Sequence, residues 1–395
     1  NGGISANSNA GIAAASGDFV CFFDHDDLIE PDLLYEYALA VLEHPDTDLL
    51  YCDEDKKGED GRHFDPFFKP DFNLDLLRNN NYICHMLTVR RGVLDQVGLL
   101  DPACDGAQDH DLTLRVSECA RHIHHVPKIL YHWRVSAGST AGGIEDSKPY
   151  ATLAGIRAVE NHLSRLGLSA TVDQARRPAT YRVRYRVPED EPLVSIVIPN
   201  KDSLSVLRQC VDSILDKSTY DAYEIVIVEN NSTEVETFAY YEEVAKDARV
   251  RCVFFDGPFN FSKIINQGVE AAKGEYCILL NNDTEVITPD WIETMLGLCA
   301  RQDVGAVGVK LYYPDDTIQH AGIRIACLHQ SLPRSDAGYF ALNDAQQDLS
   351  AVTAACMMTK RSAFEQVGGM TEDLAVAFND LDYCLKLREL DYLVV

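Results

Sequence analysis

The chain has 395 residues, 46% apolar, 25% charged and 9% aromatic, which is too apolar for a disordered polymer and ample for two or three cores. Lys and Arg number 35 against 62 Asp and Glu, and the resulting net charge of −27 repels polyanions and excludes nucleic acid as a natural partner. No run reaches the roughly 18 apolar residues of a spanning helix.

In chain order, the run FVCFF at 19–23 reads as a strand, and after Pro31 the residues Leu33, Leu34, Tyr37, Val41 and Leu42 recur at helical spacing. Pro149–Leu166 reads as a helix and Ser169–Pro192 as an extended, basic-tinged connector. Strands are expected at Leu193–Ile198, Tyr223–Val228, Val250–Phe255, Tyr276–Leu280 and Val304–Val309. Helices are expected between them. One carries Leu204, Leu207, Val211, Ile214 and Leu215 on one face, and others cover Val235–Lys246, Lys263–Ala272 and Pro289–Ala300. Continuous apolar strands alternating with helices imply an α/β chain whose mostly parallel sheets are flanked by helices. The twelve cysteines form no CxxC pair and several sit in apolar runs, so free buried thiols in a reducing cytosol are expected.

Three blocks of sequence recur. NSNAGIAAASGDFVCFFDHDD (7–27) aligns with IINQGVEAAKGEYCILLNNDT (264–284) at a shift of 257, which maps Gly11 to Gly268, Gly17 to Gly274, Asp24 to Asn281 and Asp26 to Asp283. RRGVLDQVGLLDP (90–102) aligns with KRSAFEQVGGMTE (360–372) at a shift of 270. QDHDLTLRV (108–116) aligns with NDLDYCLKL (379–387) at a shift of 271. Three blocks in one order imply two copies of one domain, expected over 1–140 and 192–395 with a helix and connector at 141–191. The first copy has 8 residues before Asn9 where the second has 72 between Val194 and Asn266, so about 64 residues of the first are expected to be missing and the chain to be a fragment.

Open parallel sheets bind ligands at the carboxyl ends of their strands. The loop after FVCFF reads Asp24-His25-Asp26-Asp27. Its carboxylates repel one another unless a divalent cation, Mg²⁺ or Mn²⁺, lies among them, or unless they form a solvated turn that caps the next helix. The corresponding loop, Asn281-Asn282-Asp283, keeps one carboxylate.

NxGxxxAxGDFVxFxDxDD, followed by a QDHDL block and YHWR, resembles the family 2 glycosyltransferases, as do VSIVIPN, IVIVENNST, FNFSKIINQGVEAAKGEYCILLNNDTEV and FNDLDYCLKLR in the second copy. With DEDK (53–56) and FKPDFNLDLL (68–77), the tandem layout is similar to bacterial proteins that build O-antigen and other surface polysaccharides. The resemblance implies two tandem GT-A-like domains and an inverting transferase. It implies a nucleotide-diphosphate sugar as donor, a divalent metal, Mn²⁺ or Mg²⁺, and a glycan acceptor, lipid-linked or not. It implies cytoplasmic work, with room for peripheral association at the inner face of the plasma membrane.

The family's site residues carry over by position. Asp24 and Asp26 match the loop that binds donor and metal, with Asp26 as metal ligand, and Asp27 flanks them. Asp283 matches the metal carboxylate of the second copy, with Asn281 replacing its partner. Asp109 and Asp380 match the catalytic base, with Asp111 and Asp382 as flanking aspartates. His132 in YHWR stands where some members place an additional metal ligand, or packs beside Trp133, and Arg134 either contacts diphosphate or forms a surface ion pair. Pro199, Asn200, Glu229 and Asn230 line the implied nucleotide pocket, and Lys263 reaches toward the diphosphate. Acceptor contacts are expected from 65–85 and 315–340, with His320 and Gly322 as candidates. Two other readings remain open: one copy catalytic and the other a carbohydrate-binding module, or a nucleotidyltransferase, although PNKDSLSVL lacks the Gly-rich basic signature of that class.

Overall fold

The computed structural model describes residues 3–135, 149–324 and 331–395. The chain forms two compact units, one of residues 1–183 with 338–347 and one of residues 184–337 with 348–395. The expected boundary at 140/141 lies outside the described residues, as do 325–330 of the expected acceptor region.

The first unit contains α1 (Ile4–Ala14), β1 (Phe19–Cys21), β2 (Leu28–Ile29), α2 (Leu33–Glu43), β3 (Thr47–Lys57), β4 (His63–Phe67), α3 (Leu74–Asn79), β5 (Thr88–Arg90), α4 (Arg91–Val97), α5 (Gln108–Ser117), β6 (His122–Arg134), α6 (Pro149–Arg165) and β7 (Ala170–Gln174); β8 (Tyr181–Tyr185) follows. Its sheet runs β1-β5-β3-β6-β2, with β4 beside β3. Among the described residues of this sheet only β3 and β6 pair in parallel; β1–β5, β3–β5, β3–β4 and β2–β6 are antiparallel. The expectation of a mostly parallel sheet is corrected for this unit. The apolar run of β3 stops at Cys52, and its polar half turns through Gly58 to Arg62 into β4, a link too short for anything but an antiparallel pair. On α2, Leu33, Tyr37 and Ala40 are buried one and two turns apart against Leu50, Met86, Leu130 and Tyr131. Leu34 and Leu42, expected on the same face, are 63% and 76% exposed, because the buried stripe is centred on the Leu33 side.

The second unit contains β9 (Val194–Asn200), α7 (Leu204–Lys217), β10 (Tyr223–Glu229), α8 (Val235–Val244), β11 (Val250–Phe254), α9 (Phe261–Ala271), β12 (Tyr276–Leu280), α10 (Trp291–Cys299), β13 (Val304–Gly308), β14 (Leu311–Tyr312), β15 (Ile318–His320), β16 (Cys356–Lys360), α11 (Arg361–Gln366), α12 (Asn379–Arg388) and β17 (Leu393–Val394). Its sheet runs β11-β10-β9-β12-β16-β13-β17. The first four strands are parallel neighbours, and β16 is antiparallel to both β12 and β13. Alternation along a strand separates two cores. Ile196, Ile198, Ile225 and Ile227 meet Leu207, Val211 and Ile214 of α7 and Leu296 of α10. Val197, Val226 and Val228 meet Ile264, Ile265 and Val269 of α9 and Leu387 of α12.

The repeat extends to hydrogen-bond register. Phe19↔Arg90, Val20↔Val89 and Cys21↔Thr88 pair in the first unit. Shifts of 257 and 270 carry these pairs onto Tyr276↔Lys360, Cys277↔Thr359 and Ile278↔Met358, which are pairs of the second. In both units the antiparallel strand leads directly into a helix, α4 or α11, and the next helix is α5 or α12.

Candidate active site

Cys21 pairs with Thr88 and Leu50 with Thr88, while β3 and β6 run side by side. The loop after β1, the loop before β5 and the far halves of β3 and β6 therefore share one end of the first sheet. Successive residues of β3 and β6 point to opposite faces there, in the register Glu54↔Tyr131 and Asp55↔His132. One face carries Glu54, Tyr131 and Trp133 around His85: its ring stacks on Tyr131 at 4.4 Å and meets Trp133 edge-on at 5.1 Å. His85 Nδ1 lies 3.1 Å from Glu54 Oε2, and Nε2 lies 3.6 Å from Asp24 Oδ2. Buried Lys69 donates to Glu54 Oε2 at 3.1 Å and to the carbonyls of Ile83 and His85 at 2.6 Å. Asp27 accepts from the Tyr131 hydroxyl and from the Arg134 amide.

Asp24, Asp27 and His85 bring ligand atoms within 4.8 Å of one another. Hydrogen bonding to His85 pulls Asp24 below the ordinary carboxylate range, whereas burial pushes Asp27 up against the pull of Tyr131 and Arg134. Burial drags His85 down, but its neighbours hold it well above the usual imidazole range. Asp24 and Glu54 face its two ring nitrogens, and burial raises the neighbouring Cys84 thiol. Asp26 is not in this group. It is half-exposed beside His25 at 3.8 Å, and its backbone carbonyl accepts from the Arg134 guanidinium.

Asp109 sits in the first turn of α5, where its Oδ2 accepts from Asn81 Nδ2 at 2.7 Å. Asn81 Oδ1 in turn accepts from the Cys84 amide at 3.4 Å. Segment 81–85 thus joins the helix-start aspartate to the Asp24 loop. Asp111 is buried and paired with Arg115 at 2.8 Å, which gives it a structural role. His132 lies on the other face of β6, with Asp55 and His63.

In the second unit, the carboxyl ends of β9, β10 and β12 lie together. Asn230 donates its backbone amide to Asn200 at 2.9 Å, and Asn282 donates to Asn200 Oδ1 at 2.7 Å. Pro199 pairs in register with Val228. Asn200, Glu229 and Asn230 are buried, and Glu229 accepts from Tyr241 and from both the amide and the hydroxyl of Ser232. Asn230 Nδ2 donates to Gly257 at 2.9 Å. Lys263, in the first turn of α9, faces Glu372 at 3.7 Å. Asn281 donates its amide to the Ala355 carbonyl at 3.0 Å, and Ala354 donates its amide to Asp380 Oδ2 at 3.3 Å. The loop before β16 therefore ties the Asn281–Asp283 turn to the aspartate at the start of α12, as 81–85 ties Asp24 to Asp109. Asp283 is exposed; Asp382 accepts from Thr371 at 2.6 Å. His320 is buried and its Nε2 accepts from the Thr353 amide at 3.4 Å; Gly322 has a φ of +92°. Sequence reasoning missed His85 and Lys69. The signals available were DEDK and FKPDFNLDLL, whose acidic and basic residues meet at this sheet end.

A family model described as "Glycosyl transferase family 2" matches residues 1–98 and 195–368. The chain is 43% identical to the uncharacterized protein y4gI of Sinorhizobium fredii over 99% of the chain and 44% of that protein. It is 41% identical to the O-antigen biosynthesis protein RfbC of Myxococcus xanthus over 96% of the chain and 30% of that protein. The chain thus spans less than half the length of these relatives. Among solved structures, a mannosyltransferase from Pyrobaculum calidifontis in complex with GDP-Man and Mn²⁺ aligns at TM-score 0.42 and 17% identity over 54% of the chain and 56% of that structure. GalNAc-T7 with UDP, GalNAc and Mn²⁺ aligns at 0.44 and 16% identity over 55% and 43%. Among the described residues the cysteines are free, and no helix is long and apolar enough to cross a membrane.

Proposed function

The chain belongs to glycosyl transferase family 2, and from that premise we propose that it moves a sugar, with inversion, from a nucleotide-diphosphate donor to a growing cell-surface polysaccharide or lipid-linked glycan at the cytoplasmic side of the membrane. In this reading its two units are tandem GT-A-like domains. The observation that carries it is the shared wiring: in each unit one short segment meets both the strand-end turn and the helix-start aspartate, through the Asn81 and His85 side chains in the first and through backbone groups of Ala354 and Ala355 in the second.

The acceptor hydroxyl attacks the anomeric carbon on the face opposite the diphosphate, and a carboxylate takes its proton as the bond forms. Asp109 and Asp380 hold that proton. Asn81 positions Asp109 by engaging one oxygen, and the Ala354 amide positions Asp380. Asp24 and Asp27 with His85 fit a divalent cation. Their donor atoms converge, and Glu54 holds the distal nitrogen of His85, the arrangement that orients metal-bound imidazoles. When bound, Mn²⁺ or Mg²⁺ supplies charge stabilisation for the leaving diphosphate. Asp26 stays at the rim of the donor loop. In the second unit Asp283 would hold the ion, while Pro199, Asn200, Glu229 and Asn230 frame the nucleotide and Lys263 the phosphates. Because Glu229 is saturated by Tyr241 and Ser232, its part is to shape the pocket.

A second reading has a specific observation behind it. Both groups of three converging metal-type ligands among the described residues lie in the first unit. This favours a second unit that binds carbohydrate or works without a tightly held metal.

The test is a panel of nucleotide sugars, followed for donor hydrolysis and for transfer to glycan acceptors. At least one donor should be turned over in a Mn²⁺- or Mg²⁺-dependent manner. Asp109→Asn and Asp380→Asn should each lower turnover by their own unit about 10²–10⁴-fold while donor binding persists. Donor binding with unimpaired transfer in both variants refutes the assignment of the base.

A further inference from the structure

The face of β6 opposite Tyr131 and Trp133 carries a second arrangement that the transfer reaction does not use. Asp55 of β3 is buried, and each of its oxygens meets a different imidazole: Oδ1 lies 2.6 Å from His132 Nδ1 and Oδ2 lies 2.9 Å from His63 Nδ1. The two rings meet edge-on at 4.5 Å. The other nitrogen of His132 lies 3.0 Å from Glu30 Oε1. His132 is thus clamped between two carboxylates. A neutral imidazole has one N–H and satisfies one of them, which leaves a nitrogen lone pair against the other. The group therefore calls for one added positive charge, either a second proton on His132 or a cation between Asp55 and the rings.

We propose that Asp55, His63 and His132 form a binding site for a borderline transition-metal cation, Zn²⁺ foremost, distinct from the donor-side group of Asp24, Asp27 and His85. Two imidazoles and one carboxylate are a ligand set for Zn²⁺ and its neighbours and a poor one for Mg²⁺ or Ca²⁺, which take oxygen. Three of the ligand atoms already lie within 4.8 Å of one another. On binding, the cation takes the Nδ1 positions of both rings; a neutral ring then carries its one proton on Nε2, and only a ring that was doubly protonated releases a proton to solvent. Glu30 keeps the Nε2–H of His132 and acts as the outer carboxylate that orients a metal-bound histidine. The ligands come from β3, β4 and β6, so the ion cross-links three strands of the first sheet. The inference does not depend on whether the unit transfers sugar.

The experiment strips the intact chain with a chelator and titrates it with Zn²⁺ by calorimetry, with Co²⁺ absorption as a second probe. The expected result is one Zn²⁺ at this site that a thousandfold excess of Mg²⁺ does not displace. His63→Ala, at a half-exposed position where the fold survives, should weaken Zn²⁺ at least tenfold, Asp55→Asn should do the same, and Asp24→Asn should leave it unchanged. Circular dichroism checks the fold of each variant. Failure of the stripped chain to bind Zn²⁺, or binding that His63→Ala preserves and Asp24→Asn abolishes, overturns the proposal.

Discussion

Lys69 is fully buried, and its ammonium is held by Glu54 and two backbone carbonyls, so it is the fixed positive charge beneath the Asp24 loop. Breaking a buried pair from one side leaves the partner's charge uncompensated, at a cost of about 3–5 kcal/mol. Lys69→Met should destabilise the first unit by that order, read as a lower midpoint in urea. Glu54 shows the corresponding pH effect. Burial alone would raise its pKa, but Lys69 and His85 bring it below the ordinary value. A depressed folded-state pKa adds stability above the unfolded value near 4.3, and that stability is lost as pH falls through the lower folded value. Stability should therefore drop below about pH 4 in the native chain and less so in Glu54→Gln, measured as urea midpoints across pH 3–7. Asp24 and Asp109 were legible as candidates because each stands at an element end where acidic residues are conspicuous. The sequence concealed Glu54, Lys69 and His85. A polar run such as DEDK reads as solvated surface, yet Asp53, Glu54 and Asp55 are all buried, because Lys69, His125 and His132 meet them in place of water.

Between elements, the repeat preserves register and varies packing. Gly268 in α9 lies against β9 and β10, and a Cβ there would meet Val197 at 2.3 Å and Val228 at 2.9 Å. Its repeat partner, Gly11 in α1, has nothing within 4 Å. Gly268→Ala should cost about 1–3 kcal/mol by overpacking. Gly11→Ala should be neutral or stabilising by up to about 1 kcal/mol through helix propensity. Thermal unfolding of the two variants side by side checks the contrast. The same comparison explains which elements were legible. The central strands β9, β10 and β12 of the second unit are largely apolar runs buried on both faces, and β12 begins and ends at Tyr276 and Leu280 as expected. The first sheet was misread because its strands pair largely through hairpin-type and return connections, and pairing direction leaves little mark on a three-residue strand.

For the molecule as a whole, chain order and spatial order diverge at residues 338–347, which belong to the first unit. Phe340 stacks on Phe67 at 3.9 Å, and the Tyr339 hydroxyl donates to the Pro66 carbonyl at 2.7 Å while accepting from the Phe68 amide at 2.8 Å. A half-buried aromatic of this kind contributes about 1–2 kcal/mol. Phe340→Ala should lower the stability of the first unit by that amount, seen as faster hydrogen exchange in β3 and β4. Nothing in the local pattern of GYFALNDAQQ announces that role, because a stacking partner 273 positions away leaves no periodicity. The arrangement also sets a timetable for biosynthesis. A ribosome adding about 5–20 residues per second needs roughly 8–30 s to travel from the end of β7–β8 to the aromatic pair, and throughout that interval the nascent first unit waits with Phe67 uncovered. A chaperone that recognises exposed aromatic hairpins would find its client in that window and lose it once Phe340 emerges.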